Sequence, residues 1–576
     1  MRLLLAAALL VLGSAAERKP NVLVILTDDQ GWGDLSLHGN TNLATPAVDS
    51  IARDGAQVDR FFVQPVCSPT RAEFFTGRWH LRGGVRNVTS GGERLNLDER
   101  SIAEHFKAAG YATGAFGKWH NGSQHPYHPN DRGFDEYYGF TSGHWGDYYD
   151  ALLLDHNGRS VRGKGFLPDE FADRAIDFIS ANKDRPFFCY VPFNTPHSPL
   201  QVPDRWFEKF AALDLKLRDR EPKQEDLAAT RAVLAMCENL DWNVGRLLRK
   251  LDELNLAKDT IVVYFHDNGP NGRRWNGGMK GRKGSTDEGG VRSPLLLRWA
   301  GRIPAGTRVR PIAGAVDLLP TLADLAGVAI PAGKPLDGIS LKPWLTGETP
   351  PPPERMLLSH WAGKFSVRSQ RFRLDSAGKL FDLEADPGQD RDVAGQHPDE
   401  VSRLTKTLER WKSEMTLKQD DRAFTVSGRS TYLPARDGVP KGGVKRSSRA
   451  PNCSYFTNWT RPEDRITWDI EVAAAGKYDV VVYYACPKDD VGSRIELSFR
   501  GSRLEASLTE PHDPPAYGPD HDRAPRDAES PVKDFKPWRM GSMDLPAGRG
   551  ELSLRALTVA RGQVMEVRQI ELIRTE

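Results

Sequence analysis

NVLVILTDD, Asn21 to Asp29, is a dense apolar run that ends in two carboxylates. A strand that is apolar at every position has no solvent face. It belongs inside a parallel sheet covered on both sides, and it delivers polar side chains at its carboxyl end. The pattern recurs. SIAEHFKAAG reads as a helix with a glycine stop, and YATGAFGKWH as the next strand and its exit loop. FADRAIDFISANKD is amphipathic, RPFFCYVPFN is a buried strand, Asp226 to Leu254 is a long helical stretch, and DTIVVYFHDNG is a strand ending in acid and amide groups. Strands alternating with helices predict an α/β sandwich, in which ligands gather beyond the carboxyl ends of the strands.

GAVDLLPTLADLAG, Gly314 to Gly327, predicts a further helix, and the proline-rich TGETPPPPERM after it a connector. From Leu357 the texture changes to short strands, FSVRSQRFRLD and GKLFDLEADP, then a helix around EVSRLTKTLERWKSEM, which predicts a small sheet-plus-helix subdomain. A glycine-, proline- and basic-rich linker is expected over Pro434 to Arg449. Beyond it, RITWDIEVAAAGKYDVVVYYACP, SRIELSFRGSRLEASL and GRGELSLRALTVARGQVMEVRQIELIR alternate as strands of an all-β sandwich, interrupted by the polar insertion TEPHDPPAYGPDHDRAPRDAESP. The expected organisation is a signal peptide over 1–16, an α/β domain over 17–350, a subdomain over 351–430 and a β-sandwich over 431–576.

MRLLLAAALLVLGSAA has an early positive charge, a short apolar run and small residues before Glu17, the pattern of a cleaved secretory signal. No later segment approaches the roughly 20 apolar residues of a membrane span, and no cysteine at the cleavage point offers a lipid anchor. A periplasmic or secreted protein is therefore expected. The net charge of +2 with 27% charged residues asks for neither nucleic acid nor a membrane surface as partner. Five cysteines in 576 residues are no disulfide scaffold. Cys453 and Cys486 could pair, Cys189 and Cys237 read as buried thiols, and Cys67 in VQPVCSPTRAEFFTGRW stands apart. A core residue, a metal ligand, half a disulfide and a modified group are all open for it.

Asp28 and Asp29 follow the first strand, and Asp267 and Asn268 follow a much later one. Three carboxylates and an amide suit a hard cation, calcium or magnesium, although strand-end acids also cap helices and turns. A second set is basic: Arg71, Lys118, His120, His197 and Lys283. Lys118 and His120, two apart in an extended stretch, point to one side. His197 sits between prolines in NTPHSP, and GGMKGRKGSTDEGGVRSP is a glycine-rich turn able to approach an anion. Together these groups would bind a tetrahedral oxyanion and stabilise charge on its leaving oxygen; taken singly, each is also an ordinary surface charge.

LTDDQGWGD, CSPTRAEFFTGR, GKWH, TPHSP, HDNG and GGMKGRKGSTDEGGVRSP, in this order, resemble the type I sulfatase family over about Pro20 to Trp411. The resemblance implies an alkaline-phosphatase-like fold, with a mixed sheet flanked by helices. It implies that Cys67 is oxidised to formylglycine (3-oxoalanine) by a formylglycine-generating or anaerobic sulfatase-maturing enzyme. Asp28, Asp29, Asp267, Asn268 and modified Cys67 would hold one calcium ion, with magnesium the alternative that oxygen ligands permit. Arg71 and Lys118 would fix the formylglycine hydrate, and Lys283 with Lys118 would grip the sulfate. His197 would be the general acid, with Lys283 contributing. One hydroxyl of the hydrate would displace the alcohol at sulfur, giving a covalent sulfate; His120 would then take a proton from the second hydroxyl, expelling sulfate. Two departures stand out. Lys280 in MKGRKG is an alternative to Lys283, and His266 occupies a position where the family commonly has serine or threonine. His266 is expected to pack beside the metal, with an imidazole ligand as the other reading.

For the substrate, GFTSGHWGDYYD offers His144 and Trp145, and LLSHWAGKFSVR offers His360, Trp361 and Lys364, for sugar contact; buried structural aromatics are the equal alternative. Tyr455, Trp459 and Trp468 of the distal module are either sandwich core or a carbohydrate surface, and the module itself either binds carbohydrate or lids the active-site rim. The leading expectation is a hydrolase of sulfated carbohydrates. The alternatives are an arylsulfatase or a phosphonate or phosphate monoester hydrolase, and a non-catalytic binder of sulfated glycans.

Overall fold

The computed structural model describes residues 18–348, 350–415, 422–526 and 528–575; the expected signal peptide lies outside them. Asn21–Thr27 is the centre of a ten-stranded mixed sheet. It pairs in parallel with Phe187–Pro192 on one side and Thr260–His266 on the other. The sheet continues in parallel through Ala112–Lys118 to Glu136–Phe140 and then antiparallel to its edge; on the other side Leu295–Arg298 and Ala56–Val58 add antiparallel pairs before Thr307–Val309 closes that edge in parallel.

Alternation along the central strand divides the core in two. Leu23 and Ile25 pack with the helices Pro46–Arg53, Leu167–Ala181 and Leu227–Glu253. Val22, Val24 and Leu26 face Cys67–Thr76, Ile102–Ala108 and Leu318–Ala326. Each such side chain is wholly buried, worth roughly 1.5–3 kcal/mol, which is why the strand is apolar throughout. The helices begin where the sequence supplies caps. Ser101 and Glu104 form a capping box, and Asp226 accepts a bond from the Ala229 N–H at 3.0 Å. The stretch expected as one helix from Gly314 opens with a 3₁₀ turn, Ala315–Asp317, before the α-helix.

Four antiparallel strands, Leu357–Trp361, Lys364–Arg368, Phe372–Leu374 and Leu380–Asp382, follow, with the helix Pro398–Glu414 bringing Leu404, Leu408 and Trp411 into their core. Trp411 meets Trp79 of the larger unit with ring centroids 5.8 Å apart. The distal part is a sandwich of two six-stranded sheets around Trp459, Trp468, Val480 and Leu552. Trp459 and Trp468 are fully buried. Tyr455 packs on Phe535 with centroids 5.1 Å apart.

The structure corrects the expected linker. Val439–Lys441 pairs with Arg465–Val472, and Lys445–Arg446 pairs with Phe456–Thr457, so Pro434 to Arg449 is built into the sandwich. Phe424–Val426 and Ser430–Pro434 are also strands of its two sheets. Short strands rich in basic residues and glycine have no periodicity of their own; their partners define them. Cys453 and Cys486 are unpaired thiols, donating to the His144 carbonyl at 3.1 Å and the Val564 carbonyl at 3.5 Å respectively. The whole is an alkaline-phosphatase-like mixed α/β sheet flanked by helices, with smaller sheets added at its C-terminal side. No helix among the described residues is long and apolar enough to cross a membrane.

Candidate functional site

Parallel register brings the acids together. Thr27 is opposite His266, so Asp28 and Asp29 leave the sheet beside Asp267 and Asn268. The chain then turns sharply, and Asp29 adopts a left-handed backbone, φ 63°, uncommon for a residue with a side chain. Ligand atoms of Asp28, Asp29, Cys67 and Asp267 lie within 4.8 Å of one another, all buried. Cys67 opens the helix Cys67–Thr76, where free backbone N–H groups and the positive end of the helix favour an anion. Its Sγ is 3.5 Å from Asp28 Oδ1. Burial and the Asp28 charge push the thiol up to about 12, so an unmodified Cys67 is a protonated, inert group here.

Three cations match the three carboxylates. Lys118 Nζ is 2.6 Å from Asp28 Oδ2, Lys283 Nζ is 2.6 Å from Asp29 Oδ1, and Arg71 Nη2 is 2.8 Å from Asp267 Oδ2. Arg71 also donates to the Lys118 carbonyl at 2.7 Å, tying helix to strand end. Lys283 reaches the site because its loop is folded tightly: Lys283 N bonds Pro270 O at 3.1 Å, and a Cβ on Gly290 would lie 2.0 Å from Ser285 O. Burial favours the uncharged amine of Lys283, but Asp29 overrides this and holds it protonated. Burial likewise opposes ionisation of Asp29, and Lys283 with His197 keeps it well below the usual carboxylate range. Asp267 is pushed the other way, to about 6, by burial and the Asp28 charge.

Of the two candidate lysines, only Lys283 is in the site; Lys280 sits over the Phe381 ring at 5.3 Å. His266 lies outside the carboxylate cluster, edge-on to Tyr264 with centroids 5.5 Å apart. Asn268 has a divided role. Its Nδ2 donates to Asp29 Oδ1 at 2.8 Å and Gly269 O at 2.9 Å, while its buried Oδ1 has no partner. A buried carbonyl oxygen without a donor is rare and calls for an explanation. Together with an otherwise carboxylate donor set, it fits a hard divalent cation held by Asp28, Asp29, Asp267 and Asn268.

The histidines carry directional information. His120, on a left-handed backbone of φ 63°, places Nε2 2.7 Å from the Val88 carbonyl. A carbonyl only accepts, so Nε2 bears the proton and the buried, unpartnered Nδ1 is left as a base. Burial and Lys118 keep the ring neutral. His197 Nδ1 is 2.6 Å from the Ser198 carbonyl, which directs Nε2 inward, 3.7 Å from Asp29 Oδ2. Burial and Lys283 lower this ring to about 4. His144 stacks on His197, centroids 5.7 Å apart and planes 18° apart.

The remaining expected contacts are dispersed. Trp145 packs on Phe140 and donates to Leu152 O at 3.0 Å. His360 meets Phe365 at a tilt with centroids 4.2 Å apart and stacks on His80; Trp361 and Lys364 are paired at the hairpin end. Two groups of the distal sandwich that sequence reasoning missed, Asn452 and Glu529, reach the histidine loops. Asn452 Nδ2 lies 3.3 Å from His144 Nδ1, and Glu529 accepts from Ser198. Both sit in polar loops more than 300 positions from these partners, where no local pattern marks them.

Comparison with known proteins places this geometry. The sulfatase family model matches residues 20–328. The chain is 32% identical over 382 residues to N-acetylgalactosamine-6-sulfatase of Canis lupus familiaris, covering 60% of this chain and 70% of that protein. It is 30% identical over 483 residues to human arylsulfatase A, covering 70% of this chain and 90% of the relative. Among solved structures, Ps i-CgsB in complex with k-i-k-neocarrahexaose superposes with a TM-score of 0.63 at 29% identity, covering 68% of this chain and 93% of that one. With the motifs, the fold and the buried Asp–Cys cluster in agreement, the chain belongs to the sulfatase family, the formylglycine-dependent type I enzymes, and is a sulfuric ester hydrolase.

Proposed function

We propose that the protein hydrolyses sulfate esters of carbohydrates. The observation that carries this reading is the buried cluster of Asp28, Asp29, Asp267 and Cys67, ringed by Arg71, Lys118 and Lys283, with the Asn268 oxygen unpartnered at its edge. Every carboxylate already has its own cation, so a divalent ion adds two positive charges against the negative charge of a sulfate ester. A carbohydrate substrate is supported by the names of relatives, an N-acetylgalactosamine-6-sulfatase and a structure holding a neocarrahexaose. Arylsulfatase activity is the second reading, favoured by the likeness to arylsulfatase A.

In this reading Asp28, Asp29, Asp267, Asn268 and the group made from Cys67 hold calcium, which supplies positive charge to the nucleophile and the ester oxygens. Formylglycine, made from Cys67 by a maturing enzyme that reads CSPTR, would supply a hydrated aldehyde as the nucleophile at sulfur. Arg71 and Lys118 orient that hydrate. Lys118 and Lys283 bind the sulfate oxygens as point charges. The Nδ1 of His120 is a free base, poised to take the proton of the second hydroxyl. The resting site holds its proton on Lys283; His197 becomes the acid at the leaving oxygen once the negative ester lies against it. His144, Trp145, His360, Trp361 and Lys364 are proposed sugar contacts. The N-terminal sequence supports export to the periplasm or beyond.

Mass analysis of the peptide carrying Cys67, from protein made in its native host, tests the modification: a persistent thiol sinks the mechanism. A panel of sulfated saccharides, aryl sulfates and phosphate esters tests the class. Highest kcat/KM on a phosphate ester would reject the sulfate assignment, and highest on an aryl sulfate would reject the carbohydrate.

A further inference from the structure

The loops that carry His144 and His197 are held from outside the α/β sheet. Arg526 donates to the Gly146 carbonyl at 2.7 Å, and Gln201 donates to the Gly518 carbonyl and to Asp522, each at 2.9 Å. Arg523 Nε donates to the Val202 carbonyl at 3.0 Å, and Glu529 accepts from Ser198, next to His197. All these sandwich-side groups lie in the polar insertion between strands Ser502–Ser507 and Lys536–Leu545. A further loop of the sandwich supplies Asn452 to His144.

That contact sets a tautomer. Asn452 Oδ1 takes a bond from Thr89 Oγ1 at 3.3 Å, and the amide NH₂ lies toward His144. An amide nitrogen can only donate, so His144 Nδ1, 3.3 Å away, must accept, and the ring proton resides on Nε2. Nε2 is buried and has no hydrogen-bond partner among the described residues, in a residue only 5% exposed. An unmade buried donor calls for an explanation, and beside the candidate site a ligand oxygen supplies one. The ring is parallel to His197, whose Nε2 faces Asp29, and both rings feel the charges of Lys118 and Lys283. The unmade donor therefore lies on the ring stacked against His197, within the field of the groups proposed to bind sulfate.

We propose that Asn452 is a positioning residue contributed to the active site by the distal sandwich. It holds His144 as the Nε2–H tautomer, so that His144 donates a hydrogen bond to an oxygen of the bound sulfated saccharide. The inference rests on the sulfate-ester reading above. The sandwich then works inside the reaction site, and its polar insertion is the strap that keeps the His144 and His197 loops in place.

The test uses full-length protein whose formylglycine content and turnover of sulfate esters are measured first. Absence of turnover by the matured wild type overturns the sulfate-ester reading, and with it the donor role of His144. In wild-type protein labelled with ¹⁵N-histidine, the His144 signals, assigned through their loss in His144→Gln, are expected to show a protonated Nε2; a protonated Nδ1 overturns the inference without any change at Asn452. Asn452→Ala is expected to lower kcat/KM on sulfated saccharides about ten- to hundredfold, the worth of one hydrogen bond to a charged group. Asn452→Asp is the discriminating variant. It keeps a hydrogen bond across the interface but demands a proton on Nδ1, so it is expected to be damaged as much as Asn452→Ala. Wild-type kcat/KM in Asn452→Asp would show that Asn452 only bridges the two parts, and would overturn the proposal while leaving the sulfatase reading intact.

Discussion

Replacing Asn268 by alanine should act differently on the metal-free and the calcium-loaded protein, because the two halves of its amide do different things. Nδ2 makes two bonds, to Asp29 at 2.8 Å and to Gly269 O at 2.9 Å, whereas Oδ1 is buried without a partner. Without metal, the loss of those two bonds costs about 2 to 4 kcal/mol, offset by about 1 to 3 kcal/mol from removing an unsatisfied buried oxygen, so the net change is about 1 kcal/mol. With calcium, a ligand is lost as well. If affinity falls about a hundredfold, then at a calcium concentration about 1,000 times the wild-type Kd the stabilisation by linkage drops from about 4.1 to about 1.4 kcal/mol. The variant should thus be about 2.7 kcal/mol more damaged in calcium than in chelator. Urea unfolding in EDTA and in calcium, beside a calorimetric calcium titration, reads both quantities. An equal loss in the two buffers, with wild-type calcium affinity, would refute the assignment of Asn268 Oδ1 as a metal ligand.

Three further outcomes follow from the geometry. His197→Ala should reduce turnover of sugar sulfates by about 10² to 10⁴, and that of a nitrophenyl sulfate much less, since a phenol leaves without an acid; equal losses in steady-state kinetics would reject the acid role. Cys67→Ala should abolish turnover while changing unfolding stability by about 1 kcal/mol, because the thiol's polar contact is a weak 3.5 Å approach to Asp28; residual wild-type turnover would reject the formylglycine mechanism. Asp241, which accepts from Val48 N at 2.8 Å at the start of the Pro46–Arg53 helix, is pushed up to about 7 by burial and by the neighbouring Asp49 and Glu238 charges. Its folded-state value exceeds the ordinary one of 3.8, so the protonated form is favoured by folding. The stability it contributes is complete below about pH 4 and is lost as pH rises through about 7, on the order of 4 kcal/mol at most. Asp241→Asn should flatten the stability profile across that window and be the more stable protein at neutral pH; an unchanged profile in denaturant titrations would exclude Asp241 as its source.

Much of the α/β part was legible because its signals are local. The strands Asn21–Thr27 and Thr260–His266, apolar through their middles, read as interior strands, and parallel pairing brings the residues following each to a common edge. The motifs around Cys67, Lys118 and His197 carried a resemblance to the sulfatases, which the family comparison bears out. The lysine ambiguity was settled by the path of a glycine-rich loop, which brings Lys283 onto Asp29 and leaves Lys280 on Phe381. The stretch Pro434 to Arg449 read as a linker because its short strands acquire an identity only from their partners.

The sequence by itself determined which side chains could hold a cation and an oxyanion, since residue type and strand-end position follow from covalent order and periodicity. Tertiary structure decided which atoms face the reaction. The proton positions on His120 and His144 depend on a carbonyl at Val88 and an amide at Asn452. The presence of Asn452 and Glu529 depends on how a sandwich docks. Hydrogen-bond direction and contact between chain segments hundreds of residues apart are properties of the packed chain, and no local pattern encodes them.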